Sequence, residues 1–259
     1  VLNSAMISKI LNKSPEEIVT DICNAYSSSL GIFAEKTNAE DLVPNIEKKQ
    51  QVQFLFWIIQ MDYATKSSKL YENANKLFNF NNSWLKPDYF LEMTDEKLLE
   101  FVKTKFRPRY ANEIVKRFKS NAKKLNEEYS GLAINIINSS ESATELLLKI
   151  KEFRGFGDKL ANFLFRTYVD LLKLSYPDIS QILPPVDVHD VRLTYEWGFI
   201  QNKEMTEKNI NLVKQLWSNA CNNTNLSWII FDKALWLVGS KGRRTEDIKD
   251  DYSFNIGEK

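Results

Sequence analysis

The sequence predicts an all-α protein. Apolar residues recur three and four positions apart in segment after segment, alternating strand-like runs bounded by turn signals are scarce, and glycine supplies only 8 of 259 residues. That glycine content is about half the usual frequency. No internal repeat or low-complexity tract breaks the pattern.

The elements follow in order. Ser14-Pro15-Glu16-Glu17 is a helix start: a serine cap, a proline at the first helical position and a glutamate three residues after the cap. Residues 51–63 are dense in apolar side chains and predict a buried helix. Thr94-Asp95-Glu96 opens another, with Leu98, Leu99 and Val102 on one face. Helical patterns continue at 109–126, 142–153, 159–174, 188–197, 206–220 and 226–238, with Gly239 as the stop for the last. The Asn-rich stretches 78–83 and 219–225 and the segment 176–185 predict loops. From 241 onward the chain mixes charges without an apolar face, which predicts partial disorder.

Composition excludes several classes of protein. With 43% apolar residues the chain has ample material for a core. No stretch approaches the roughly 18–20 consecutive apolar residues that span a bilayer, and the first thirty residues lack a secretory-signal pattern, so no membrane partner is expected. Cys23 and Cys221 cannot build a four-thiolate iron–sulfur cluster, and with the single His189 they supply only three ordinary zinc ligands, far apart in sequence. No metal centre and no disulfide framework are expected, and a reducing cytoplasmic compartment is, nucleoid-associated in a prokaryote.

Net charge is +1, which argues against an indiscriminate polyanion binder. The distribution says more. Between residues 101 and 124 lie nine basic side chains, Arg107, Arg109 and Lys116 among them, against one acid, Glu113. A polyanion would be drawn there; a solvated helix face is the plain alternative.

Scarce glycines make Phe153-Arg154-Gly155-Phe156-Gly157-Asp158-Lys159-Leu160-Ala161 informative. Two glycines around Phe156, between helical segments, permit positive φ and a tight reversal. They also leave main-chain amides open at a helix entrance, which suits a DNA phosphate. A simple connector between two helices is the other reading. Lys159 stands in the first turn of the next helix, where the dipole opposes a cation and favours the neutral amine that a nucleophile requires; an ordinary surface lysine is the alternative. Leu183-Pro184-Pro185-Val186-Asp187-Val188-His189 places Asp187 at a helix cap. A capped carboxylate is ionised and rigidly held, which suits stabilising positive charge on a sugar, although capping alone explains an aspartate there.

Together, the Gly-Phe-Gly-Asp-Lys string and the Pro-Val-Asp-Val-His string 28 residues beyond Lys159 resemble the helix-hairpin-helix DNA glycosylase superfamily, and within it the archaeal 8-oxoguanine glycosylase/AP lyase family. Phe231-Asp232-Lys233-Ala234-Leu235-Trp236-Leu237-Val238-Gly239 is similar to that family's C-terminal segment. The resemblance implies a two-lobed all-α fold with an active-site cleft between the lobes. A central helical domain, 48–172, would end in the hairpin, and a second would combine 1–47 with 173–259. It implies excision of a modified base from DNA and β-elimination at the abasic site, by a monomer without an iron–sulfur cluster; a structural monovalent cation at the hairpin fits the same pattern.

Carried over by position, Lys159 would attack the deoxyribose and form a Schiff base, and Asp187 would stabilise the oxocarbenium-like transition state. Phe163, Asp232 and Trp236 would line the base pocket, with core packing the alternative for Phe163 and Trp236. Gly155, Phe156, Gly157, Arg107, Arg109 and Lys116 would hold the DNA backbone, and His189 is assigned a structural or phosphate contact. One position departs: where the family carries a purine-reading glutamine, this chain has Ala64, and Gln60 could replace it only with a shifted helix register. Three functions therefore stay open: an 8-oxoguanine glycosylase/lyase, the same chemistry on another base such as a bulky modified cytosine of foreign DNA, and a non-catalytic DNA-binding module.

Overall fold

The computed structural model describes residues 13–62 and 65–241. Among these residues no strand occurs, and the chain runs through α1 (Pro15–Ser27), α2 (Lys48–Ile59), α3 (Ser67–Phe80), α4 (Pro87–Leu91), α5 (Asp95–Phe101), α6 (Ala111–Tyr129), α7 (Ile134–Asn138), α8 (Ala143–Lys151), α9 (Asp158–Leu172), α10 (Val188–Glu196), α11 (Glu207–Thr224) and α12 (Trp228–Lys241). The fold is all-α, as the periodicity predicts. No described helix is long and apolar enough to cross a membrane.

The caps explain why the helices begin where they do. Ser14 and Glu17 form a reciprocal capping box at α1. Thr94, Ser142 and Thr206 each accept a main-chain N–H three residues on, at the starts of α5, α8 and α11. Each cap satisfies a donor that the helix itself cannot, worth about 1 kcal/mol.

The chain divides into two compact units, Ala39–Ile182 and the described parts of Val1–Asn38 with Leu183–Lys259. The first is organised around α2, buried without interruption from Gln51 to Met61. The Trp57 ring meets Phe56, Phe90 and Phe118 at centroid separations of 4.9, 4.7 and 5.4 Å. Its indole N–H donates to the Leu85 carbonyl at 2.9 Å. Each large apolar side chain so buried contributes roughly 1.5–3 kcal/mol. Helix α9 packs on both α2 and α8.

In the second unit α1 packs on α11 and α12, and α10 on the same two helices. Trp217 is the centre of that core, edge-on to Trp197 and Phe199 and 5.1 Å from Phe231, with its indole N–H on Thr194 Oγ1.

Several expectations need correction. Gly239 does not stop the last helix: it lies inside α12, where a Cβ would come 2.4 Å from the His189 Cβ. The glycine is there for close approach of α10, which the Arg192 guanidinium reinforces by donating to the Gly239 carbonyl at 2.9 Å. The stretch 219–225 is helical through Thr224, and 78–83 is helical only through Phe80, with Asn81 and Asn82 in a loop as expected. Burial of Ala220 and Cys221 outweighs the weak helix propensity of the asparagines around them. The basic helix starts at Ala111, so Arg107 and Arg109 lie ahead of it on a turn. A π-helical turn, Val102–Phe106, precedes that turn and closes with Arg107 in the left-handed region at φ 57°. The tail beyond residue 241, and Ala64, lie outside the described residues.

Candidate active site

In the first unit, helix α6 cradles the glycine hairpin between α8 and α9. Phe153 and Phe156 anchor the turn from beneath, their rings 5.0 and 5.8 Å from the Phe56 ring. Phe156 is therefore a core side chain, and only its main chain is available for a backbone contact of the kind expected from sequence. The wholly buried Asn121 clamps Arg154, accepting its N–H at 2.8 Å and donating to its carbonyl at 3.0 Å. Asn121 also donates to Gln60 Oε1 at 2.7 Å, while Gln60 Nε2 donates to the Phe56 carbonyl. Gln60 is thus fully committed inside the unit and does not stand in for a base-reading amide at Ala64.

The two hairpin glycines do different things. Gly155 is left-handed at φ 86°, and a Cβ there would fall 2.4 Å from Arg117 Nε. That guanidinium cannot simply swing away, because Nη1 donates to the Gln60 carbonyl at 2.8 Å. Gly157 has an ordinary negative φ of −71° and open space where a Cβ would be. It caps α9 without a side-chain hydrogen bond, and this leaves main-chain donors presented as an anion site requires. Gly155→Ala is expected to destabilise the protein by roughly 1–3 kcal/mol through its backbone conformation alone, with displacement of Arg117 added. A denaturant-unfolding midpoint unchanged from wild type would contradict this.

Lys159 is the second residue of α9 and is exposed; Phe163, one turn on, is half-buried beneath the Arg166 guanidinium at 5.0 Å. Arg166 is itself buried and paired with Glu40 at 3.8 Å. The hairpin, Lys159 and Phe163 therefore share one end of one helix.

The basic segment is only partly open. Arg117 is held as described, Lys119 donates to the carbonyls of Leu91 and Met93, Lys123 pairs with Glu127, and Lys124 pairs with Glu128 and Glu152. Lys103, Lys105, Arg107, Arg109 and Lys116 are exposed, and no described residue forms an ion pair with them. The positive surface is thus the turn before α6 and that helix's first turns, not its full length.

In the second unit Asp187 caps α10. Its Oδ1 accepts from the N–H groups of His189 and Asp190 at 2.7 and 3.3 Å, and Asp190 Oδ2 accepts the Asp187 N–H at 2.7 Å. Buried Pro184 and Val186 fix the approach, and Asp187 is half-buried. The close pass of His189 at Gly239 brings this cap to α12, with Trp236 one turn before Gly239 and Asp232 one turn further back. Asp232 is buried and Trp236 half-buried. Neighbouring Lys233 is buried with its amine over the Tyr26 ring at 5.5 Å.

Cys23 and Cys221 lie buried in the same unit, and desolvation pushes both thiols up to about 12. Among the described residues no three or more His, Cys, Asp or Glu side chains gather as a metal site.

The fold these elements build is that of helix-hairpin-helix DNA glycosylases. A thermostable thymine-DNA glycosylase superposes with a TM-score of 0.56 at 12% identity, covering 88% of this chain and 87% of its own. The 8-oxoguanine DNA glycosylase of Pyrobaculum aerophilum, complexed with 8-oxoguanosine, gives 0.53 at 17% identity over 96% of this chain and 89% of its own. The 8-oxoguanine DNA glycosylase of Methanocaldococcus jannaschii gives 0.50 at 17% identity over 92% and 95%. No protein-family model and no curated protein matches the sequence. The likeness is one of fold.

Proposed function

We propose that the protein is a DNA glycosylase that extrudes a modified nucleotide, excises its base and cleaves the abasic site through Lys159. The observation that carries this reading is the exposed lysine delivered by a glycine hairpin to the first turn of α9, in a fold shared with DNA glycosylases over most of the chain. Lys159 Nζ attacks the deoxyribose C1′ as the glycosidic bond breaks, and the amine gives up its proton on the way to a Schiff base. β-Elimination then breaks the bond to the 3′ phosphate. Asp187, negative and fixed by two main-chain donors, stabilises positive charge on the sugar. Extruding the nucleotide costs a few kcal/mol of unstacking, offset by phosphate contacts from the open basic turn and the amides around Gly157.

8-Oxoguanine is the first substrate of this proposal, because two of the structures sharing the fold are 8-oxoguanine glycosylases. One observation favours a second reading on another modified base: Ala64 offers no side-chain amide, and Gln60 is sequestered by Asn121. A smaller residue at that position leaves room for a larger base, such as a bulky modified cytosine.

A panel of duplexes, each with one modified base, tests both. Release of free 8-oxoguanine supports the first reading. Release of another base with 8-oxoguanine left intact selects the second. Binding without release of any base, and without a covalent adduct on abasic DNA, leaves only a DNA-binding module.

A further inference from the structure

Among the described residues two buried side-chain amides, those of Gln51 and Asn162, have an oxygen that accepts from no described donor. Asn162 belongs to α9, three residues after Lys159 and next to Phe163. A buried acceptor left without a donor is costly, so its presence asks for a reason.

The Asn162 side chain is held firmly. The residue is 5% exposed, and its Nδ2 donates to the Asp158 carbonyl at 2.7 Å. That carbonyl is also the helical partner of the main-chain N–H four residues on, so the side-chain bond is not needed to satisfy it. The bond fixes the amide and turns Oδ1 away from the Asp158 carbonyl. Helical side chains lean toward the N-terminus, which lays Asn162 over the first turn of α9, on the face it shares with Lys159. Helix stability does not account for the residue, since asparagine is a weak helix former and a leucine of similar size would leave no acceptor to satisfy. Asn121 shows what a structural amide does in the same unit: its oxygen accepts from the Arg154 N–H at 2.8 Å, and its nitrogen donates to Gln60 Oε1 and the Arg154 carbonyl. Asn162 has the donating half of such a set alone. Exposed Lys159 carries mobile N–H donors on a flexible stem one turn away.

We infer that Asn162 is a positioning residue for Lys159, its Oδ1 accepting an N–H of the lysine nitrogen as that nitrogen bonds to the sugar. The inference rests on the glycosylase reading. The lone pair of neutral Nζ forms the bond to C1′, and the glycosidic electron pair leaves with the base, which takes up a proton. Nζ is then positive and loses one proton to water. The sugar ring opens, its oxygen taking a proton, and leaves an iminium with one N–H. Positive charge on nitrogen grows as the bond forms, so an adjacent acceptor binds the transition state and the iminium more strongly than the neutral amine.

The test is single-turnover formation of the borohydride-trapped adduct by the full chain on abasic-site DNA, at saturating protein. Asn162→Leu should slow adduct formation about ten- to a hundredfold, the scale of one hydrogen bond to a charged group. Its affinity for a duplex with a tetrahydrofuran abasic analogue and its melting temperature should match wild type. Asn162→Asp keeps an acceptor oxygen in the same shape and should recover most of the rate. Asn162→Ala repeats the comparison where leucine is not accommodated. A wild-type rate in Asn162→Leu, or Asn162→Asp as slow as Asn162→Leu, overturns the role of Asn162 and leaves the glycosylase reading standing. Slowing matched by weaker binding or a lower melting temperature in both the leucine and the alanine variants overturns it as well, since the amide then serves folding. No adduct from the wild-type protein overturns the reading of Lys159 as nucleophile, and the role of Asn162 with it.

Discussion

Lys159→Gln is expected to abolish the covalent adduct that borohydride traps on abasic DNA, with excision falling by orders of magnitude. Glutamine keeps polarity and most of the length but has no amine with which to form an imine, so reduction has nothing to fix. The substitution should leave folding alone. Lys159 is exposed in the first turn of α9, and no hydrogen bond or ion pair of its side chain forms with any described residue. A cation near a helix N-terminus is disfavoured by about 0.3–1 kcal/mol. Removing it should hold or slightly raise the melting temperature. Loss of the adduct with stability retained separates a catalytic lysine from a structural one. An adduct that persists in Lys159→Gln assigns the nucleophile elsewhere, and the exposed Lys103, Lys105 and Lys116 are the amines to replace next.

What the sequence reveals and what it hides divide along the range of the interactions. Ser14, Thr94 and Asp187 cap helices as their spacing predicts, because a cap is a contact within three residues; the helical patterns at 142–153 and 206–220 prove to begin on caps as well. The local positions of Lys159 and Asp187, in the first turn of one helix and at the cap of another, are legible for the same reason. Gly239 misleads because its neighbour is His189, fifty residues away, and a glycine needed for close packing looks like one needed to end a helix. Helix α3 goes unpredicted because its cap position, Lys66, carries no capping side chain, although Leu70, Tyr71, Ala74 and Leu77 do share one buried face. The basic segment is also only half legible. Its charges can be counted, but not the carbonyls and glutamates that occupy Arg117, Lys119, Lys123 and Lys124. Gly155 shows both sides: its left-handed turn is implied by composition, while the Arg117 side chain where its Cβ would stand is a tertiary fact.

Asp187→Asn isolates charge from shape. The amide Oδ1 can still accept from the N–H groups of His189 and Asp190, so the α10 cap should survive. The Asp187 N–H can still donate to Asp190 Oδ2, so the reciprocal half of the box stays as well. Stability should therefore move by less than about 1 kcal/mol, the typical value of a whole cap. The negative charge is what disappears. If the proposed chemistry holds, positive charge developing on the sugar then meets a neutral group, and excision should fall at least about a hundredfold, the scale of losing one preorganised electrostatic contact to a transition state. Binding to an abasic-analogue duplex should persist, because a carboxylate does not attract phosphates and its removal takes nothing from the basic turn. Single-turnover excision beside equilibrium binding reads the two effects apart. Excision at the wild-type rate would reduce Asp187 to a helix cap. Binding and excision lost together, with a lowered melting temperature, would show that the capped segment matters for folding rather than for charge.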